Sequence, residues 1–290
     1  MICKIFLSDC VDFMKSNNDH KFDLTFLDPP FNQAKEYRNH DDNMSSEKYW
    51  GWMAEVCNLV NHNSNDGATI YFMQREKNVH HVMRALEDAG WTYQNLIIWK
   101  KKTSAVPNSN RFGLHYQIIV FATKGKKPRV FNKLRIDPPI LETEKYRRPN
   151  GMFVTDVWDD IRELTSGYFA GDEPIRDKTG ERVHKQQSPV HLLTRIILSS
   201  TNPGDLVFDP FAGTGTTLTV AQQLSRNSIG TEIDSVNRDV ICQRISDIRD
   251  NDDISKLFHY YRFTENLQSI WPSPLEKKQE INLSLTSKKI

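Results

Sequence analysis

The chain has 290 residues, 38% of them apolar and 10% aromatic, enough to bury one sizeable core. Its four cysteines (Cys3, Cys10, Cys57, Cys242) lie far apart with no C-x-x-C pair, which argues against a disulfide frame or a zinc site. No uncharged apolar run approaches the roughly 18 residues of a membrane span, no leader pattern opens the chain, and a soluble, cytoplasmic protein is expected.

Seven short segments rich in β-branched and aromatic residues are predicted as strands: 4–7, 23–27, 69–73, 96–99, 118–122, 206–208 and 229–232. Helical spacing is predicted over 47–61, 78–89, 189–199, 216–224 and 235–248. Strands alternating with helices imply an α/β fold, a doubly wound and mostly parallel sheet covered on both faces. Residues 125–183 break the rhythm with Pro, Gly, Arg, Lys and isolated aromatics, and are read as an insertion outside the core layers. Val157-Trp158 is expected to anchor it. Residues 272–290 hold no aromatic residue and are expected to be a mobile tail. Trp50 and Trp52 are expected to pack their helix on the sheet, Tyr116 to be a core residue, and His80-His81 to be solvated.

Net charge is only +1, yet between Trp99 and Arg148 there are 13 Lys/Arg against 3 Asp/Glu. A polyanion would therefore be directed to one region.

Two loops carry the chemistry. Asn202-Pro203-Gly204-Asp205-Leu206-Val207-Phe208-Asp209-Pro210-Phe211-Ala212-Gly213-Thr214-Gly215-Thr216-Thr217 runs from turn to buried strand to small-residue loop to helix, the place where ligands bind in doubly wound folds. A phosphate-binding P-loop would need a Lys before the Ser/Thr, and a dinucleotide fingerprint a third Gly where Leu218 stands. What remains is a loop for a nucleoside ligand without a phosphate chain, with Glu232 closing the next strand where a carboxylate can accept from ribose hydroxyls. At the other end, Phe22 to Leu27 is a buried strand leading into Asp28-Pro29-Pro30-Phe31. Consecutive prolines remove two backbone donors and leave carbonyls free to accept. A carboxylate, free carbonyls and a ring make a receptor for a planar group bearing an amino substituent.

The pair D-P-P-F and D-P-F-A-G-T-G-T-T resembles the amino-methyltransferases of DNA, which modify adenine N6 or cytosine N4, often within restriction-modification systems. The order of the two motifs is similar to the permuted class called β. The resemblance implies a circularly permuted, seven-stranded, Rossmann-like methyltransferase sheet. Residues 1–124 would form its catalytic half, 125–183 the target-recognition insertion and 184–271 the cofactor-binding half. It implies S-adenosylmethionine as cofactor, held by Asp9, Cys10, Asp28, Ser188, Asp209, Phe211, Gly213, Gly215, Thr216 and Glu232. Asp28, Pro29, Pro30 and Phe31 would be catalytic. Where the family typically shows H-P-T-Q-K-P, this chain has His184-Lys185-Gln186-Gln187-Ser188-Pro189. The lysine beside the methionine carboxylate is replaced by Ser188, and this corner is expected to grip the cofactor less tightly.

Double-stranded DNA is the expected partner, met by Lys100, Lys101, Lys102, Arg111, Arg135, Arg147 and Arg148, with Lys145 a further candidate. The target base would be extruded and stacked on Phe31. Asp in the first catalytic position with Phe in the fourth favours adenine N6 over cytosine N4. A non-catalytic DNA-binding subunit with a degenerate methyltransferase fold is the alternative from another class. A cognate restriction endonuclease and a homodimer follow from the resemblance, while no metal and no membrane are expected.

Overall fold

The computed structural model describes residues 1–17, 19–35, 40–102, 107, 109–137, 148–164, 171–183 and 186–272, together with the backbone of 282–286. Strands β1 (Ile2–Leu7), β2 (Phe22–Leu27), β3 (Ser64–Gln74), β4 (Trp91–Lys100) and β5 (Tyr116–Lys124) come from the first part of the chain. The second part supplies β6 (Arg135–Ile136), β7 (Met152–Phe153), β8 (Val157–Trp158), β9 (Leu206–Asp209), β10 (Asn227–Glu232) and β11 (Asn282–Thr286). The main sheet has the order β11-β1-β10-β9-β2-β3-β5-β4-β8, and only β5 runs against the rest. All seven expected strands are present, and β8 and β11 extend the sheet at its two edges.

Apolar residues at consecutive strand positions are explained by cover on both faces. In β3, Ile70 and Phe72 face one layer while Tyr71 and Met73 face the other; in β5, Ile118 and Val120 oppose Ile119 and Phe121. Helices α1 (Cys10–Ser16), α2 (Ser46–His62) and α3 (Val79–Asp88) cover the first face. The second is covered by α4 (Val190–Ser200), α5 (Thr216–Gln223) and the aromatic stretch Tyr261 to Trp271. α6 (Ser235–Ser246) packs through Ile241 and Ile245 on Cys3 and Ile5 of β1.

β2 and β9 pair through only Leu24↔Val207 and Thr25↔Phe208. Side chains add to this short ladder. Phe22 stacks on Phe208 with centroids 4.1 Å apart, an arrangement worth about 0.5–1.5 kcal/mol beyond burial. Asp23 accepts from Leu206 N at 2.9 Å, and Arg129 bridges Asp23 and Asp205. From β2 the chain leaves toward β3; from β9 it leaves toward β10 in the opposite direction. Their carboxyl ends thus form a topological switch point, which brings the first and last motifs of the sequence side by side.

Three readings are revised. The insertion does not stay outside the core: Leu134, Trp158 and Ile161 are buried with the sheet residues, β8 pairs with β4, and Asp160 accepts from both terminal guanidinium nitrogens of buried Arg195 on α4. Trp158 anchors this region, as expected. After residue 271, the backbone of Asn282–Thr286 lies parallel to β1 as a further strand of the sheet. Tyr116 is 39% exposed at the start of β5, because its partner across the ladder is Lys100 at the open end of β4.

Candidate active site

The turn after β2 is a fixed piece of backbone. Beyond Phe31 the chain reverses through left-handed Asn32 (φ 52°) and Ala34 (φ 56°), and buried Asp42 holds that reversal. Its carboxylate accepts from the backbone N–H groups of Asn32 (2.8 Å), Gln33 (3.0 Å) and Lys35 (3.1 Å). The Asn32 amide is paired in both directions with the backbone of Met44. Tyr49 on α2 donates to the Pro30 carbonyl at 2.8 Å, and Gln74 at the end of β3 donates to the Tyr49 hydroxyl at 2.9 Å. Ser188 donates to Asp28 Oδ2 at 2.9 Å.

After β9, Asp209 Oδ1 accepts from Phe211 N at 3.0 Å. Glu232 accepts from Gly213 N through one oxygen and from Asp234 N through the other, each at 2.8 Å. Gly213 and Gly215 both have positive φ (54° and 80°). A Cβ on Gly215 would lie 2.8 Å from Ile241, so this glycine serves close helix packing and the start of α5, and stands outside the lining of the adjoining cleft.

Two clefts meet at Asp28. The larger when its open mouth is included, at about 1030 Å³, is lined by Asp9, Cys10, Trp52, Asp209, Phe211, Gly213, Thr216 and Glu232 among others. The second, of about 930 Å³, has Phe31, Met73 and Trp99 on its apolar side and Lys101, Gln117, Glu163 and Arg182 as polar groups. Asp28, Gln186, Gln187 and Ser188 border both.

The carboxyl groups here are poised high. Burial raises Asp28 to about 8; the Ser188 hydroxyl pulls it down, Asp209 pushes it further up and Lys35 pulls it down. Burial raises Asp209 to about 6 and Glu232 to about 7, against the hydrogen bonds both accept. A cation entering the larger cleft would favour ionisation of all three.

Most of the predicted residues converge. Asp9, Cys10, Asp28, Ser188, Asp209, Phe211, Gly213, Thr216 and Glu232 all line the larger cleft, and Pro29 and Pro30 share its wall. Asp9 has a second role that its sequence reading lacked: it caps α1, its Oδ1 accepting from Val11 N at 2.7 Å and Asp12 N at 3.3 Å. Among the basic candidates, Lys101 borders the second cleft, and Lys100, Lys102 and Arg111 are exposed around its end of the sheet. Arg135 instead donates to the Asn150 carbonyl and lies 3.9 Å over the Phe153 ring, bracing the β6–β7 hairpin. Arg148 is exposed, while Lys145, Arg147, His184 and Lys185 lie outside the described residues.

Asp42, Tyr49 and Gln74 were not found from sequence, because each acts on the loop from another element. Trp52, read as sheet packing, meets the Phe211 ring edge-on at 5.5 Å inside the larger cleft; Trp50 stacks on His81, which ties α2 to α3. Among the described residues, no group of three His, Cys, Asp or Glu is placed to hold a metal, and no helix is long and apolar enough to cross a membrane.

Comparison with known proteins gives the family by sequence and the fold by structure. A family described as DNA methylase, of N6/N4 methyltransferase type, matches residues 22–242. The type II methyltransferase M.HinfI of Haemophilus influenzae is 30% identical over 268 residues, covering 85% of this chain and 69% of that protein. Among solved structures, the M1.HpyAVI complex with SAM shares 24% identity at a TM-score of 0.57, covering 84% of this chain and 99% of that one. The cytosine-N4-specific PvuII DNA methyltransferase shares 18% identity at a TM-score of 0.63, covering 93% and 94%. These structures carry the same fold, and the sequence matches place this chain in the N6/N4 DNA methylase family.

Proposed function

We propose that the protein methylates adenine N6 of a base extruded from double-stranded DNA, with S-adenosylmethionine as donor. The observation that carries this reading is the meeting of two clefts at one carboxylate, Asp28, flanked by prolines.

The larger cleft fits the cofactor. Phe211 and Trp52 offer aromatic surface for a purine, and Glu232 reaches the loop where ribose hydroxyls would sit. S-adenosylmethionine bound there supplies an electrophilic methyl group on a sulfonium. Everything else is the work of the chain. The Pro30 carbonyl is taken by Tyr49 and Asp28 Oδ2 by Ser188, so Asp28 Oδ1 and the Pro29 carbonyl are the acceptors for the two amino hydrogens. Accepting both favours a tetrahedral nitrogen whose lone pair points across the shared wall toward the larger cleft. Alignment of this kind contributes roughly 7–11 kcal/mol in well-oriented systems.

The second cleft receives the base. Phe31, Met73 and Trp99 give its ring an apolar surface, and base-aromatic stacking of about 1–3 kcal/mol offsets part of the cost of extrusion. Lys100, Lys101, Lys102 and Arg111 surround this end of the sheet and supply phosphate contacts. Beside Arg111, Phe112 is 95% exposed, an aromatic ring suited to the gap left in the stack. The Asp-first, Phe-fourth motif supports adenine. The likeness to a relative named as a type II methyltransferase supports a restriction-modification setting, with a cognate endonuclease, a homodimer and a cytoplasmic location as parts of this reading.

Sequencing with modification detection, on DNA from a host expressing the protein, tests this. One short recurring sequence carrying N6-methyladenine is expected; unmodified DNA from a host making folded protein would overturn the reading.

A further inference from the structure

Ser188 occupies the position where the family pattern carries lysine, and its hydroxyl lies against the catalytic loop instead of standing free in the cofactor cleft. The two partners are separated by 160 residues, so the contact exists only because the fold closes the permuted ends on each other. Ser188 and Asp28 border both clefts, which places their hydrogen bond in the partition a methyl group must cross.

The segment carrying Ser188 is itself held. Gln187 Oε1 accepts from Ile175 N at 3.1 Å, and Gln187 Nε2 donates to the Glu173 carbonyl at 3.2 Å. The Glu173 carboxylate accepts from Val190 N, at the start of α4, at 2.7 Å, and Arg249 donates to the Glu173 carbonyl at 2.9 Å. Ser188 therefore lies between a braced glutamine and the first turn of a buried helix, with little freedom to follow Asp28 if that side chain turned. A hydroxyl fixed in this way can dictate which carboxylate oxygen is occupied.

We infer that Ser188 is a positioning residue for Asp28: it holds Oδ2 against the partition between the clefts and so presents Oδ1 to the amino group of the target base. This rests on the proposed amino-methyltransferase activity. A lysine at this position would bring an ammonium to the same carboxylate or to the cofactor, whereas serine offers a neutral donor that adds no counter-charge to the carboxylate. The bond also favours the ionised form of Asp28, opposing the rise that burial imposes.

The test compares Ser188→Ala and Ser188→Thr with the wild type in two measurements. In steady-state methylation of duplex DNA, Ser188→Ala is expected to lower kcat roughly 10- to 100-fold, the range for losing a hydrogen bond to a charged group. KM for DNA and for S-adenosylmethionine should stay within about twofold, and the acid limb of the kcat profile should move to higher pH, since the donor that favours the carboxylate is gone. Threonine, which keeps the hydroxyl, should restore both. In the second measurement, isotope-edited infrared spectroscopy follows the Asp28 carboxyl in the cofactor-free protein, where Ser188→Ala should raise its titration midpoint and Ser188→Thr should not. Equal kcat in wild type and Ser188→Ala, or an unmoved midpoint, overturns the assignment. If the wild type transfers no methyl group, the proposed activity fails; the infrared titration still decides whether Ser188 controls Asp28.

Discussion

The two loops at the switch point are held in different ways. The turn after β9 is secured by the two elements that follow α5 in the chain: Glu232, at the end of β10, binds Gly213 N, Arg244 on α6 donates to the Thr214 carbonyl at 3.0 Å, and Gly215 lets α5 approach Ile241. The turn after β2 is held from several elements at once, by Asp42 on the returning chain, Tyr49 on α2 and Ser188 before α4. A cofactor loop needs a concave backbone that can accept a ligand of fixed shape, and local geometry provides it. A catalytic loop must leave particular acceptor atoms free and all others occupied, which requires partners from outside the loop.

Each half of this contrast can be broken separately. Asp28→Asn should have the largest effect on chemistry, lowering kcat roughly 100- to 1000-fold, the range for removing one preorganised group at a reacting centre, while calorimetric binding of S-adenosylhomocysteine is retained. Loss of that binding together with activity would mean Asp28 serves the cofactor first. Asp42→Ala should act on the fold, leaving three backbone donors without their acceptor and costing about 2–4 kcal/mol in chemical denaturation. An unchanged denaturation midpoint would remove Asp42 from the account.

Tyr49→Phe is gentler, freeing the Pro30 carbonyl and leaving Gln74 Nε2 without its acceptor. A stability loss of about 1 kcal/mol and a several-fold drop in kcat are expected, with wild-type kcat the contrary outcome. The last prediction concerns pH dependence. Asp28 has a folded-state pKa of about 8 against an ordinary 3.8, so the folded chain binds this proton more tightly than the unfolded one. The stability this gives is present at acid pH and is lost as pH rises from about 4 through 8. Denaturation of the cofactor-free protein should therefore show a shallower decline with pH in Asp28→Asn than in wild type; parallel curves would contradict the burial of that carboxyl.

The sheet and both loops were legible because their signals are consecutive in the chain: apolar runs for the strands, D-P-P-F and the glycine loop for the site. Position along the chain even identified Ser188 as a departure from the family pattern, though its partner was not legible, since nothing in residues 184–189 points to a carboxylate 160 positions away. Asp42 and Tyr49 were hidden for the same reason. Val157-Trp158 was read as an anchor but not as strand β8, because two residues carry no periodicity and the contact of Trp158 with Arg195 depends on helix α4. Arg135 shows what composition leaves out: a basic residue in a basic region also has a structural role, its guanidinium donating to Asn150 and lying over Phe153.

The central claim is amino-group methylation at Asp28, and the most direct measurement is nucleoside analysis of duplex DNA incubated with the purified protein and methyl-labelled S-adenosylmethionine. Label in N6-methyldeoxyadenosine from the wild type, appearing roughly 100- to 1000-fold more slowly with Asp28→Asn, is the predicted result. Label in N4-methyldeoxycytidine would contradict the assigned base, and label at equal rate from Asp28→Asn would contradict the mechanism.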